Sequence, residues 1–354
     1  MVVGKSIFVT ENEAIALDLT DNLARLNISM SFLFYRLPWI RFMVPRHFLG
    51  FVFFLSLFVA FSTADAQKKP KVEIPEPERV LLETKDKIEL RADWYAGTAG
   101  KEAVPVILIH DWDGDRSNMS KLALSLQDKL GCAVIAPDLR GHGESLVVKG
   151  SSEDIDRKRF KKNELLTFVE DIDTCRKFLQ GKNDDGELNL DMLVIVASGK
   201  MTIPAIDWTI SDWSWPPLNG VKQGQNVKSL ILVSPRKRFK SLSSTQSLKA
   251  PIFTSRTKAL PSLLVWGKSS SSAKDGEAIY KMLQKARKEP EKFDDADDRW
   301  NRQTLFKIEY DSGSDGDDLI ADRAQQIFKA VSIFIDKKII ANKDEFSWQN
   351  RKLD

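Results

Sequence analysis

Short apolar runs alternate with amphipathic segments along most of this chain, and this alternation restricts the fold more than any other feature. Residues 104–109 (VPVILI) and 227–233 (VKSLILV) are apolar runs of strand length, whereas residues 165–179 have helical spacing. Strands that are apolar along their whole length are typical of sheets covered on both faces. The pattern therefore predicts an α/β fold, with a mostly parallel sheet and helices on both of its faces.

The same criteria assign the other elements. Two short β-rich runs, residues 79–83 and 88–95, flank a polar turn and predict an N-terminal antiparallel hairpin. The segment from 235 to 262 is too short for a large inserted lid domain. The remaining predicted elements are strands at 133–136, 192–196, 263–266 and 305–310, and helices at 119–130, 203–213, 277–286 and 319–338.

The composition is that of a globular protein and excludes several functional classes. With 42% hydrophobic and 29% charged residues, the chain is not intrinsically disordered. A net charge of +3 is too balanced for a dedicated nucleic-acid binder, and basic runs such as residues 236–238 are too short for that role. Only three histidines are present, so we expect no metal site and no cofactor. Cys132 and Cys175 are predicted to be buried thiols.

A charge-free apolar segment, residues 48–61, follows three arginines and precedes the small residues 64–66 (Ala-Asp-Ala). This arrangement is typical of a secretory signal peptide and predicts cleavage near Ala66. The mature protein would then be secreted or periplasmic and would not be held in a membrane. An uncleaved membrane anchor is the alternative. Because the apolar segment begins after more than forty residues, Met30 and Met43 are candidate start sites.

These features divide the chain into four predicted parts. Residues 1–66 form an N-terminal extension and signal peptide, and the charged, proline-rich residues 67–78 form a linker. Residues 79–340 form the folded domain, and residues 341–354 form a C-terminal tail.

Two loops in the first half of the domain carry family information. Residues 107–114 (ILIHDWDG) and 136–145 (APDLRGHGES) closely resemble two loops of the α/β-hydrolase superfamily. In that family the first loop contributes an amide to the oxyanion hole, and the second follows the next strand. The order of strands and helices extends the resemblance over most of residues 80–340. The resemblance implies an α/β-hydrolase fold, whereas activity depends on the site residues.

The family's nucleophile stands on a sharp strand-to-helix turn with the pattern G-x-S-x-G. The equivalent turn is residues 196–201 (VASGKM). In one register Gly199 occupies the nucleophile position and has no side chain with which to attack. In the other register Ser198 occupies it, flanked by Val196 and Lys200, whose side chains crowd the turn. Ser198 is therefore the candidate catalytic residue.

The other two positions of the triad also depart from the family pattern. The acid position falls on Ser270, and the histidine position falls in the acidic loop 311–318, at Asp315. No histidine follows His142, so the general base that activates a serine is missing. By resemblance, Gly199, Ser270 and Asp315 are the degenerate triad positions.

Three residues correspond to the oxyanion-hole loops: His110, Asp111 and Lys200. Backbone amides near Asp111 and Lys200 are expected to converge, which leaves two interpretations open. Either the amides bind an anion or a carbonyl, or the carboxylate of Asp111, which replaces the family glycine, blocks the hole. Lys200 is placed to pair with Asp111.

The acidic loop also has part of the spacing of a calcium loop. Asp311, Asp315 and Asp322 fall at positions one, five and twelve, with Gly316 at position six. Gly313 at position three has no ligand side chain, so the ordinary interpretation is a solvated loop.

Two functions from different classes follow. The first is an exported α/β-hydrolase-fold protein without catalysis, a pseudoenzyme that acts as a binding or scaffolding module for a small molecule or an envelope protein. The alternative is a hydrolase of ester or amide bonds with Ser198 as nucleophile. In that case Asp275 or Asp311 would be the acid, and His110 or His142 would assist.

Overall fold

A mostly parallel sheet forms the centre of the fold in a computed structural model of the protein. The structure describes residues 73–216, 222–289 and 292–352. The predicted N-terminal extension, the signal peptide and residues 67–72 of the predicted linker lie outside this part of the chain.

The strands match the predicted pattern closely. In chain order they are β1 (Glu78–Glu83), β2 (Ile88–Tyr95), β3 (Pro105–Ile109), β4 (Ala133–Pro137), β5 (Val147–Val148), β6 (Leu193–Ser198), β7 (Val227–Val233), β8 (Arg238–Phe239), β9 (Leu242–Ser243), β10 (Ser262–Gly267) and β11 (Leu305–Tyr310). The main sheet has the order β1-β2-β4-β3-β6-β7-β10-β11, with β5 paired to β2. The β1–β2 and β2–β4 pairs are antiparallel and the pairs from β4 onward are parallel, which confirms the predicted sheet and its N-terminal hairpin.

Helices cover both faces of the sheet, as predicted. They are α1 (Ser120–Leu130), α2 (Lys162–Leu166), α3 (Phe168–Asp184), α4 (Thr202–Ser214), α5 (Ser244–Ser247), α6 (Pro251–Thr254), α7 (Ala273–Arg287), α8 (Ala296–Arg302), α9 (Gly316–Asp322) and α10 (Ala324–Lys338). Helices α3, α4 and α7 pack on one face, and α1 and α10 pack on the other. Among the described residues, no helix combines the length and apolarity needed to cross a membrane.

Alternating side chains of the central strands supply two separate hydrophobic cores. In β3, Ile107 and Ile109 point to the core beneath α3 and α4, whereas Val106 and Leu108 point to the core beneath α1 and α10. All four side chains are fully buried. Because both faces need apolar side chains, the strand has no polar alternation, and this is the pattern that identified it in the sequence.

Several segments differ from the prediction. The helix predicted over residues 165–179 is divided into α2 and α3 at Thr167, and β5 and α8 were not predicted. The single helix expected over residues 319–338 is divided into α9 and α10 at Arg323, whose backbone is not helical (φ −114°, ψ 33°). The division lets α9 point toward the loop after β3 while α10 packs on the sheet beside α1. Between β7 and β10, the chain forms the small hairpin β8–β9 and the short helices α5 and α6, which the sequence analysis missed.

A buried ion pair anchors the loop after β4, one of the two loops that resemble the hydrolase family. The Arg140 backbone amide and guanidinium donate to the Asp171 carboxylate on α3 at 2.6–2.9 Å, and the guanidinium also donates to Asp86 and Thr167. Both members of the pair are buried. The loop is thus fixed to the helix that covers the sheet.

The C-terminal residues pack on the domain. Trp348 Nε1 donates to the Leu188 carbonyl at 3.1 Å, and Asn183 Nδ2 donates to the Gln349 carbonyl at 2.9 Å. The Arg351 guanidinium is buried and donates to Asp191 at 2.8 Å. The predicted tail, as far as residue 352, is therefore continuous with the fold.

Both cysteines are buried free thiols, as expected. Burial raises the pKa of Cys132 to about 12 and also raises the pKa of Cys175. Neither forms a thiolate near neutral pH, so both thiols are chemically inert.

Replacement of Asp171 by alanine is expected to lower the free energy of unfolding by about 3 kcal/mol, because it removes the buried partner of Arg140 and leaves only the half-exposed Asp86 to pair with that charge. Urea denaturation measures this loss. The control is Asp128→Ala, which removes an exposed carboxylate paired with Lys129 and should change stability by less than about 1 kcal/mol. Equal effects of the two substitutions would contradict the proposed anchoring.

Candidate active site

The turn after β6 has the backbone geometry of a tight strand-to-helix connection. The strand ends at Ser198, Gly199 has a φ of +54°, and α4 begins at Thr202. Glycine adopts this left-handed conformation without the strain that a side chain would introduce. A Cβ atom on Gly199 would also lie closer than 3.0 Å to the carboxyl group of Asp111, a separation that real Cβ atoms essentially never show. The position thus excludes a nucleophilic side chain while Asp111 keeps its place.

The carboxylate of Asp111 lies on the backbone amides that were candidates for an oxyanion hole. Its Oδ1 accepts hydrogen bonds from the Trp112 amide at 2.6 Å and from the Lys200 amide at 2.7 Å. Burial raises the pKa of Asp111, while the two amides lower it. Of the two interpretations that the sequence left open, this geometry corresponds to the blocked hole.

The side chain of Lys200 does not pair with Asp111, contrary to expectation. The Lys200 ammonium forms an ion pair with Asp113 instead, and only its backbone amide meets Asp111. The backbone amide of Lys200 points into the turn, whereas its long side chain extends outward across the surface of the turn.

A second carboxylate, that of Asp317 on α9, completes this cluster. Its two oxygens accept hydrogen bonds from the Asp111 backbone amide at 2.9 and 3.1 Å, and one of them accepts from Asn118 Nδ2 at 3.1 Å. Burial raises the pKa of Asp317 to about 6, and the nearby Asp111 charge contributes to the rise. In the sequence, Asp317 is recognisable only as part of an acidic loop, since nothing in the spacing connects it to residue 111.

Ser198, the candidate nucleophile, is buried at the end of β6. Within the residues that the structure describes, its Oγ has no hydrogen-bond partner, although Ser198 lies near enough to Asp317 to lower the pKa of that carboxyl group. Its surroundings thus provide a carboxylate rather than an imidazole.

Both candidate histidines are held by backbone groups. His110 Nδ1 lies 2.7 Å from the Asp111 carbonyl, and the Leu139 amide donates to His110 Nε2 at 3.1 Å, which fixes a neutral tautomer with the proton on Nδ1. The two ring nitrogens of His142 each lie 2.9 Å from a backbone carbonyl, one of Arg140 and one of Trp112. Burial lowers the pKa of each histidine to about 4. The rings therefore brace the two loops, and neither contacts Ser198 through a hydrogen bond.

The positions equivalent to the acid and the histidine of the triad meet in a polar network. Ser270 Oγ donates to the Gly267 carbonyl at 2.8 Å and lies 3.0 Å from Ser272 Oγ. Asp315 caps the start of α9 and accepts hydrogen bonds from Ser271 and Arg236. Burial raises the pKa of Asp315, but these hydrogen bonds and the Arg236 charge lower it by more, so the net shift is downward. The network joins two loops and contains no base with a raised pKa.

The other proposed acids lie in different surroundings. The carboxylate of Asp275 accepts from the Lys237 amide at 3.0 Å, and the Asp311 carbonyl accepts from Arg323. The residues with calcium-loop spacing also do not converge, because Asp315 accepts from Arg236 and Ser271 while Asp322 accepts from Ser312 at 2.6 Å. Within residues 73–216, 222–289 and 292–352, no group of three or more His, Cys, Asp or Glu side chains is arranged to hold a metal ion.

Several solved esterase structures are similar to this chain. An esterase from the hyperthermophilic archaeon Pyrobaculum calidifontis is 13% identical, with a TM-score of 0.51 over 92% of this chain and 98% of that one. A monoclinic form of the Pyrobaculum calidifontis esterase is 14% identical, with a TM-score of 0.51 over 78% of this chain and 87% of that one. An arylesterase is 12% identical, with a TM-score of 0.51 over 81% of this chain and 98% of that one.

These similarities show the fold: the chain has the α/β-hydrolase fold that its two family-like loops predicted. No protein-family model and no curated protein matches the sequence. The function must therefore be inferred from the site itself.

A double-mutant cycle tests whether Asp111 excludes a side chain at position 199. Gly199→Ala is expected to destabilise the wild-type protein by about 3 kcal/mol, through the collision and the left-handed backbone together. In an Asp111→Gly background the collision is gone, and the expected cost falls to about 1–2 kcal/mol. Urea denaturation of the four proteins gives the coupling energy.

Gly181→Ala on α3 is the matched control for the cycle, since no atom beyond the adjacent backbone of its own helix lies within 4 Å of its Cβ position. Its effect should be independent of Asp111. The assigned geometry is wrong if Gly199→Ala and Asp111→Gly are additive within about 0.5 kcal/mol.

Asp317→Asn is expected to make stability less dependent on pH. The carboxyl of Asp317 has a pKa of about 6 in the folded protein, against about 4 in an unfolded chain. The folded state therefore holds this proton more tightly, and the wild type loses stability as pH rises from about 4 to about 6. Relative to the wild type, the variant should gain about 2 kcal/mol of unfolding free energy over this range in urea denaturation.

Asp322→Asn provides a control of opposite sign. The hydrogen bond from Ser312 lowers the pKa of Asp322, so this carboxylate contributes stability at neutral pH that is lost as pH falls. If both asparagine variants follow the same pH trend, the environment assigned to Asp317 is incorrect.

Proposed function

We propose that this chain is an α/β-hydrolase-fold protein that has lost ester and amide hydrolysis and serves as a binding or scaffolding module. The observation that carries the proposal is the position of the Asp111 carboxylate, which accepts hydrogen bonds from the Trp112 and Lys200 amides. Acyl transfer needs such amides to stabilise the negative charge that develops on the substrate oxygen. An ionised carboxylate on the amides occupies their donors and repels that charge.

The state of the candidate nucleophile and base supports the same proposal. A serine hydroxyl is a weak nucleophile without an adjacent general base. Gly199 has no side chain, Ser198 Oγ is buried, and the ring nitrogens of His110 and His142 face backbone groups. Two requirements of the family's chemistry, an accessible nucleophile and an adjacent base, are thus unmet in the arrangement of these residues.

One observation favours a second candidate, an unusual hydrolase with Ser198 as nucleophile. Ser198 lies beside Asp317, whose pKa of about 6 suits a general base near neutral pH. The fold shared with esterases agrees with this candidate as well. It requires both a movement of Asp111 off the two amides and access of substrate to a serine that is 1% exposed.

We extend the proposal to location and partners. The charge-free run at residues 48–61 and the small residues at 64–66 support export, and hence a secreted or periplasmic protein. A small molecule or an envelope protein is then the partner class for the binding module.

The deciding experiment is a hydrolysis assay on the purified full chain with short-chain and long-chain p-nitrophenyl esters, together with a fluorophosphonate probe. The wild type is expected to show no turnover above the rate in buffer and no covalent labelling, because no activated hydroxyl faces the donor amides. A serine esterase serves as the positive control.

Ser198→Ala distinguishes the two candidates. Turnover and labelling that disappear in this variant would refute the loss of catalysis and identify Ser198 as the nucleophile. A further loss in Asp317→Asn would then assign the base.

A further inference from the structure

The same five-residue sequence, Arg-Lys-Arg-Phe-Lys, occurs at residues 157–161 and at residues 236–240. The first copy leads into α2, and the second begins after β7 and includes β8. Each copy is too short to identify a binding surface by itself. In the fold, however, the two copies lie close to the same residue.

Both copies lie beside Trp112, whose backbone amide donates to the Asp111 carboxylate. The Phe160 ring lies 6.4 Å from the Trp112 ring, and the Phe239 ring lies 4.9 Å from it, measured between centroids. Lys240 Nζ lies 4.2 Å from the Trp112 centroid, and the Arg157 guanidinium lies 5.8 Å from it. We call residues 157–161 and 236–240 together the basic rim.

The two phenylalanines of the rim are turned toward Trp112, and several of its cationic residues are exposed. Phe160 and Phe239 are partly buried against the core, whereas five of the cationic residues of the rim are exposed. These exposed cations are Lys158, Arg159, Lys161, Arg238 and Lys240. In the part of the chain that the structure describes, only Arg159 of these five forms an ion pair, with Asp156. Four of the five exposed cations of the rim are therefore not engaged in an ion pair within the described residues.

Three partly buried cations in or beside the basic rim, Arg236, Lys237 and Lys200, indicate which kind of anion the rim can bind. Arg236 pairs with Asp315, and Lys237 lies 3.9 Å from the Asp275 carboxylate. Lys200, whose Nζ lies 5.7 Å from the Phe239 ring, pairs with Asp113. Each of these three cations forms an ion pair with a carboxylate of the chain itself. Carboxylate groups are therefore the anions that this part of the surface binds within the fold.

We propose that the basic rim is a docking surface for an acidic segment of another protein, rich in Asp and Glu side chains. The proposal rests on the binding role above and names the chemistry of its partner. Phe160 and Phe239 are the only apolar residues of the two copies, and both are turned toward Trp112. The rim thus offers no ring for stacking on nucleic-acid bases and no side chain for insertion among lipid chains. The exposed cations of the basic rim are suited instead to ion pairs with the carboxylates of an acidic peptide.

The test measures binding of fluorescein-labelled poly-L-glutamate to the full chain by fluorescence anisotropy at low ionic strength. The rim variant combines Lys158→Gln, Lys161→Gln, Arg238→Gln and Lys240→Gln. The control variant combines Lys85→Gln, Lys121→Gln, Lys285→Gln and Lys329→Gln, four exposed lysines outside the rim that form no ion pair within the described residues. Both variants carry the same formal net charge of −1, against +3 for the wild type.

We expect the rim variant to bind poly-L-glutamate about tenfold more weakly than the wild type, and the control variant to stay within about twofold. Thermal unfolding checks that both variants fold. If the four-site rim variant does not fold, the pairs Lys158→Gln/Lys161→Gln and Arg238→Gln/Lys240→Gln replace it, each with an expected loss of about threefold.

Three outcomes would overturn the proposal: no binding of poly-L-glutamate, equal losses in the rim and control variants, or tighter binding to duplex DNA or phosphatidylserine vesicles than to poly-L-glutamate. The last would assign the rim to phosphate groups instead. Ester hydrolysis is measured independently of this binding, so a failure of the docking surface and a failure of the proposed loss of catalysis are separate results.

Discussion

The contact between the Asp111 carboxylate and two backbone amides organises one end of the sheet. Asp111 follows β3, its amide partner Lys200 follows β6, and its own amide donates to Asp317 in the helix after β11. Three strand ends are therefore joined through one residue. The cost of burying a carboxylate is offset by charge-assisted hydrogen bonds from amides that the turn would otherwise leave without partners.

Close packing around the two carboxylates explains three glycines. A Cβ atom at Gly199 or Gly316 would collide with the carboxyl group of Asp111, and one at Gly114 would collide with that of Asp317. Gly199 and Gly316 also have positive φ angles, which suit glycine for a second reason. The residue types at these positions are thus set by carboxylates that lie far from them in the sequence.

Much of the fold could be predicted because its signals are local. β2, β7 and β11 have the predicted bounds, since an apolar run between polar turns marks a buried strand directly. The division of the predicted 319–338 helix could not be foreseen, because apolar spacing continues across Arg323 and the break serves a contact with another loop.

The site was less accessible to sequence reasoning than the fold. The pattern identified Gly199 and Asp111 as departures from the family. It could not show that one side chain occupies the space of the other, because that depends on a rotamer and on a contact across 88 positions of the chain. The convergence of the two Arg-Lys-Arg-Phe-Lys copies on Trp112 was hidden for the same reason.

The packing of the C-terminal residues has a consequence for the order of folding during synthesis. Arg351 inserts its guanidinium beside Asp191 and Asn226, and Trp348 bonds the segment before β6. These contacts connect the middle of the chain to residues made more than a hundred positions later. The ribosome must therefore have synthesised the chain beyond residue 351 before the buried carboxylate of Asp191 can meet Arg351. Until then, the nascent chain lacks the hydrogen bonds that Trp348 and Arg351 donate to Leu188, Asp191 and Asn226.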